Sequence, residues 1–219
     1  MLRSLQLSCL LVLVCVFAHS QAQEQARVTF TLDFPGSQPG HYSLQVCSDG
    51  KARYESTGKP FPESDQSDNF EYEFTVSPAT REKIFDLSAK AGYFQKDLDS
   101  HRKNMAFTGK KTLGYKDAQR SRESTYNYSP DLAVEELTNL FQGLSATLEF
   151  GHRLEHSLRY QKLALAEELK RMEESARSTP LIEIQAIAPI LQQIIADPGV
   201  INVSRARAQR LLERSSDGR

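Results

Sequence analysis

Tryptophan is absent from the 219 residues, and only 3 cysteines stand beside 11 glycines and 9 prolines. These values exclude a disulfide scaffold and a collagen-like chain. Charge of one sign is also lacking, since 27 basic side chains face 28 acidic ones for a formal net charge of -1. A polyanion calls for clustered excess Lys and Arg, so no nucleic-acid partner is expected. At 39% hydrophobic residues with balanced charge, the composition is that of a folding chain and not a disordered one.

Long apolar runs are confined to Leu5 to Phe17. With Met1 and Arg3 ahead of it and the small residues Ser20-Gln21-Ala22 behind it, this run reads as a secretory signal over residues 1–22, cleaved before Gln23. It is well short of the roughly 20 residues that span a bilayer, so no membrane span is expected. Cys15 follows Val12-Leu13-Val14 inside the run, which is not a lipid-anchor context. Cleavage leaves 26 basic against 28 acidic residues, and it removes Cys9 and Cys15. Cys47, then the sole thiol, reads as a small half-buried filler on a strand. The expected location is secreted or periplasmic.

The remainder reads as an α+β protein, with a sheet region over 23–149 and a helical region over 150–219. Val28, Phe30, Leu32 and Phe34 alternate with polar residues at the period of a half-buried strand, as do Tyr42, Leu44 and Val46. A two-residue Asp49-Gly50 turn would oppose Val46 and Arg53. A three-residue loop with Gly50 in the left-handed position instead pairs Val46 with Ala52 and Leu44 with Tyr54, and that register is expected. Thr57 to Asn69 reads as a surface loop, and Phe70, Tyr72, Phe74 and Val76 as another strand. Ser77-Pro78 predicts a capped helix ending at Gly92, with Tyr93-Phe94 tucked inward. Short strands are expected at Met105 to Phe107, Lys111 to Tyr115 and Glu123 to Tyr128. Ser129-Pro130 repeats the cap ahead of the stripe Leu132, Val134, Leu137, Leu140, Phe141, Leu144 and Leu148. The expected architecture is an antiparallel sheet covered by two Ser-Pro-capped helices, followed by an α-helical C-terminal extension.

Gly151 predicts a break. Beyond it Leu154, Leu158, Leu165, Leu169, Met172 and Ala176 form one side of a charged helix, with Glu167/Arg171 and Lys170/Glu174 as pairs one turn apart. Thr179-Pro180 predicts a further cap, and Pro189 a kink among Ile182, Ile184, Ile187 and Ile190. Asp197-Pro198-Gly199 predicts a turn, and Ser204 caps a last helix with Ala206, Ala208, Leu211 and Leu212 inward and Arg205, Arg207 and Arg210 in water.

Two constellations bear on chemistry. His152-Arg153-Leu154-Glu155-His156 spells H-x-x-E-H, in which two imidazoles four residues apart share a helix face and can hold zinc beside a glutamate base. A third ligand and a walled cleft are also required, and the acids downstream sit in ordinary solvated patterns. Tyr126 and Tyr128, near Tyr115 and Tyr93, could form an aromatic ligand floor, although strand aromatics more often serve packing. No G-x-S-x-G elbow and no phosphate loop occurs. Thr108-Gly109-Lys110-Lys111-Thr112 carries a Gly-Lys pair without the upstream glycine and reads as a cationic hairpin turn.

From Val28 to Leu148, the run Tyr42-Ser43-Leu44-x-Val46, Asp49-Gly50 and Tyr54, then a capped helix ending in Gly92-Tyr93-Phe94, resembles small exported bacterial domains of unknown function. Where those domains carry a Cys pair ahead of the Tyr strand, this chain has Pro35-Gly36 and Pro39-Gly40. The resemblance implies a bacterial source and carries over no catalytic residue. The expectation is a non-enzymatic interaction or structural module without cofactor, whose C-terminal helices offer a surface for a protein partner or self-association. The alternatives are a zinc-dependent hydrolase using His152, Glu155 and His156, and small-ligand binding at Tyr126 and Tyr128.

Overall fold

A computed structural model of the chain describes residues 25–58, 68–178 and 181–217. The expected signal over 1–22, most of the expected Thr57 to Asn69 loop and the expected Thr179-Pro180 cap lie outside the described residues. Six strands form one antiparallel sheet: β1 (Arg27–Asp33), β2 (His41–Cys47), β3 (Lys51–Gly58), β4 (Asp68–Thr75), β5 (Lys110–Lys116) and β6 (Ser121–Tyr126), in the order β4-β3-β2-β1-β5-β6. Among the described residues the first strand, β1, is therefore central, and β4 and β6 are the edges.

Alternation places Val28, Phe30 and Leu32 on the inner face, opposite Val46, Leu44 and Tyr42 of β2. The β2–β3 hairpin has Val46 against Ala52 and Leu44 against Tyr54, with Gly50 at φ 91°, the register that the buried face and a left-handed glycine dictate. Cys47 is half-buried on the polar face, where the Gln45 amide lies 3.8 Å from its sulfur.

Helices α1 (Pro78–Lys90) and α2 (Leu132–Tyr160) pack over the inner face. Ser77 caps α1 by accepting from the Thr80 amide, and Pro78 occupies the first turn, where its missing N–H costs nothing. Phe141 of α2 lies flat on Phe30 at a centroid distance of 5.3 Å, and both rings are fully buried. Burial of such a ring contributes about 1.5–3 kcal/mol, so this contact anchors the helix layer to the sheet centre.

Several expectations are corrected. The second cap is Asp131, not Ser129: its carboxylate accepts from the Ala133 and Val134 amides, while the Ser129 hydroxyl accepts from the Asp131 amide. An acid satisfies two orphan donors and complements the helix dipole, so it displaces the start by two residues. Leu132 then falls outside the buried stripe, 78% exposed. Met105 to Phe107 is not a strand. Phe107 is 60% exposed and touches only the edge of the Phe34 ring among the aromatic contacts, so the segment lacks the burial that holds a strand. Lys111 is no hairpin turn residue but lies in β5, buried, with its ammonium donating to the carbonyls of Thr108, Gly109 and Asn127 and to the Thr108 hydroxyl. It ties the preceding loop to the end of β6.

Helix α2 runs through Gly151 without a break, and the 149/150 boundary falls inside it. The expected long leucine helix is divided instead at a 3₁₀ turn, Lys162–Ala164, before α3 (Leu165–Ser178). Pro189 does not kink a helix. It occupies the first turn of α4 (Ala188–Ala196), and left-handed Glu183 separates that helix from the residues before the 3₁₀ turn Ile184–Ile187. Helix α5 (Asn202–Asp217) starts ahead of Ser204, which is buried within it, and Ala206 faces solvent. Arg207 and Arg210 are not simply wet. Both reach Glu173 on α3, and Arg207 also donates to the Ala166 carbonyl. Buried Glu168 joins α2 to α3 between Arg153 and Arg171. The expected Glu167/Arg171 pair is present at 3.6 Å.

These helices are integrated with the sheet layer. Glu183 accepts from the amide and hydroxyl of Ser77 and from the Thr80 hydroxyl, so it completes the start of α1 from more than 100 residues away. Tyr72 of β4 donates to the Ala186 carbonyl at 2.7 Å. Gly151 faces Ile187 so closely that a Cβ there would be driven into the Ile187 methyl and lie 3.2 Å from its Cβ.

The core also buries four tyrosines, Tyr42, Tyr54, Tyr115 and Tyr126. Tyr54 donates to Glu149 at 2.7 Å, as does Ser56, and Ser145 lies 3.0 Å from the same phenol. Tyr126 shares a hydrogen bond with Thr138 on α2. Burial pushes Tyr42, Tyr54 and Tyr126 well above the usual phenol range, aided at Tyr54 by the Glu149 charge. The unfolded chain releases those protons near pH 10 while the native state keeps them, so the associated stability is present below about pH 10 and is lost as pH rises further. In an alkaline titration followed by tyrosinate absorbance, these three of the 8 tyrosines are expected to ionise only as circular dichroism is lost. Ionisation of all eight with an intact spectrum would contradict this burial.

Candidate functional site

The H-x-x-E-H segment lies on the C-terminal half of α2, beside the edge strand β4. The His152 ring stacks on Phe70 of β4 at 4.1 Å and 21°. The His156 ring instead faces Tyr160 on its own helix, at 5.0 Å, and the Glu155 carboxylate pairs with Arg159 at 3.0 Å. Among the described residues no cluster of three His, Cys, Asp or Glu is placed to hold a metal ion. The helix thus presents its two imidazoles to two different aromatic neighbours along one groove.

That groove has two connected parts. A shallow trough of about 580 Å³ runs along Asn69, Phe70, Glu71 and Tyr72 on one side and His152, Glu155, His156, Arg159 and Tyr160 on the other. At its inner end a pocket of about 170 Å³ shares Phe70, Tyr72, His152 and Glu155 and deepens against Leu148, Gly151, Ile187, Pro189, Ile190 and Gln193. Successive side chains of a strand point to opposite faces of its sheet. Four consecutive residues lining one trough therefore mean that it opens on the edge of β4 itself, and not on one face.

Each wall has a local cause. Phe70, Tyr72 and Phe74 stack along β4 with neighbouring centroids 6.0 Å apart, a half-buried ladder of rings. Gly151 is the place where the 3₁₀ turn approaches α2, and the turn carries Ile187 into the pocket floor. Burial raises the Tyr72 phenol, with the Glu155 charge as a second cause, so the carboxylate and the ring share one environment. On the outer face near this edge a single guanidinium, Arg53, serves Glu55 at 2.6 Å, Glu71 at 3.0 Å and Glu73 at 3.9 Å. Three carboxylates on one cation leave that side of the strand net acidic.

The tyrosine pair is not gathered into a site. Tyr126 is 3% exposed beneath α2 with its hydroxyl on Thr138, so it cannot offer a ring face to a ligand, and Tyr128 lies beyond the end of β6. Tyr115 packs tilted against Tyr93 at 4.6 Å, and Arg120 covers the Tyr93 ring. The alternation from Phe70 marks a strand but not its place at the sheet edge beside α2, and Gly151 reads as a helix stop and not as a notch. A glycine in register with Leu148 and Glu155 on a helical face is the signal that could have found the notch, had it been read as close packing and not as a stop.

No family model matches the chain, and no curated protein matches it in sequence. Among the described residues no helix is long and apolar enough to cross a membrane.

Proposed function

We propose that this chain is an exported, non-enzymatic interaction module whose binding surface is the groove between β4 and the C-terminal half of α2. The observation that carries this reading is the lining of one trough by four consecutive residues of an edge strand, contiguous with an apolar pocket beneath it. Concave, mostly apolar sites with a few polar groups at the rim are the usual form of binding sites, and edge strands are the usual hazard of sheets unless they are covered or used. His152 and Glu155 serve here as rim groups, with His152 holding Phe70 by stacking.

The test is photo-crosslinking in the producing cell, with a benzophenone amino acid at His156 on the rim or at Thr31 in the middle of the polar sheet face. Covalent adducts from position 156 and none from position 31 are expected. Adducts from position 31 alone, or from neither, would contradict the reading. Stoichiometric zinc in protein purified without a tag, lost on His152→Ala, would replace it with the hydrolase alternative.

A further inference from the structure

We infer that the occupant of the groove is an extended peptide segment that adds to β4 as a seventh strand, with basic side chains on its outer face and apolar ones on its inner face. The inference rests on the groove being the binding surface and names the chemistry of its partner. Strand addition needs an edge with unused backbone groups, and β4 supplies one. Among the described residues its ladder partner is β3 alone, and no other described segment makes a backbone hydrogen bond to residues 69–75.

Side-chain chemistry then selects the guest. An added strand alternates as β4 does, so one set of its side chains passes the exposed Glu71 and Glu73 while the other set faces Phe70, Tyr72 and the pocket. The pocket, about 170 Å³, has the size of an apolar cavity of about 150 Å³ that accommodates a benzene ring, so it takes one large apolar or aromatic side chain. On the helix wall Glu155 and Arg159 neutralise each other, so the net charge felt by the guest is that of the strand. A second copy of β4 is the wrong guest, because antiparallel pairing of two such edges sets acidic residues against acidic ones. Main-chain hydrogen bonds would supply affinity and alternate side chains specificity, as in other cases of β-strand addition.

The experiment uses the purified chain without its signal and a fluorescent peptide of alternating lysine and valine in which one central valine is replaced by phenylalanine, with binding read by anisotropy. The alternating peptide is expected to bind. A peptide of the same composition with lysines and valines in separate blocks, and the alternating peptide N-methylated at every second residue, are expected not to bind. A Glu71→Gln, Glu73→Gln double variant with an unchanged circular dichroism spectrum is expected to bind the alternating peptide about tenfold more weakly. Equal binding of the N-methylated peptide, undiminished binding by the double variant, no binding at all, or a stable dimer through paired β4 edges in sedimentation would each overturn the inference. If the peptide fails while crosslinks still form at position 156, the groove is the surface and its occupant is not an added strand. If both fail, the surface itself is wrongly placed.

Discussion

Gly151→Val is expected to lower the unfolding free energy by about 2–3 kcal/mol, read as a lower urea midpoint with an unchanged slope. Two opposed effects decide the sign. Away from any neighbour, replacing a mid-helix glycine gains helix propensity, up to about 1 kcal/mol for alanine and a few tenths for valine. Here the new side chain meets Ile187, which is itself buried and cannot retreat. The turn that carries it is held on one side by Tyr72 on the Ala186 carbonyl and on the other by Glu183 on Ser77. Overpacking a site of this kind costs more than the propensity gain. A glycine serving as a helix stop would behave in the opposite way, with valine stabilising. The variant therefore separates the two roles by sign, and a raised midpoint would contradict the packing described above.

Glu183→Ala is expected to cost about 2–3 kcal/mol, because a half-buried carboxylate that accepts from one amide and two hydroxyls is lost at once. Helix α1 has no acid in its own first turn, so Glu183 is also the negative charge that its N-terminus receives. Glu183→Gln keeps an acceptor and the reach without the charge, and should recover part of the loss. The left-handed backbone of Glu183 is tolerated by neither alanine nor glutamine better than by glutamate, so backbone strain does not confound the pair. Thermal unfolding of both variants is the measurement. An alanine variant that melts with the parent would show that the C-terminal helices are not clamped to α1.

Much of the sheet was legible because alternation is a strong local signal. The strand from Val28, the β2–β3 register through Gly50 and the Ser77-Pro78 cap all follow from residues adjacent in sequence. What was illegible depends on distant partners. Whether a glycine ends a helix or admits a neighbour is decided by Ile187, 36 positions away, and nothing near Gly151 announces it. Pro189 fits either a kink or a first turn, and the left-handed residue Glu183, which is not glycine, settles the matter in favour of a new helix. Asp131 displaced Ser129 as a cap because two capping residues stood within one turn of each other. The H-x-x-E-H spacing correctly placed His152 and His156 on a helix. The rings meet Phe70 and Tyr160, and the spacing alone gave no view of the edge strand opposite.

The groove matters because Phe70, Tyr72, Gly151, Ile187, His152 and Glu155 come from three separate stretches of chain and meet at one edge. Neither the sheet region nor the helical region would form it alone. This is why a boundary at 149/150, drawn from the loss of the strand pattern, cuts through the most informative part of the molecule.

Residue-resolved amide exchange on the isolated protein tests the open strand edge most directly. Along Asn69 to Thr75, amides bonded to β3 should exchange slowly and the alternate ones facing the groove quickly, while β1, flanked on both sides, is protected throughout. Uniform protection along β4 in the absence of any partner would mean that the edge is already covered, and the groove could not be the binding surface.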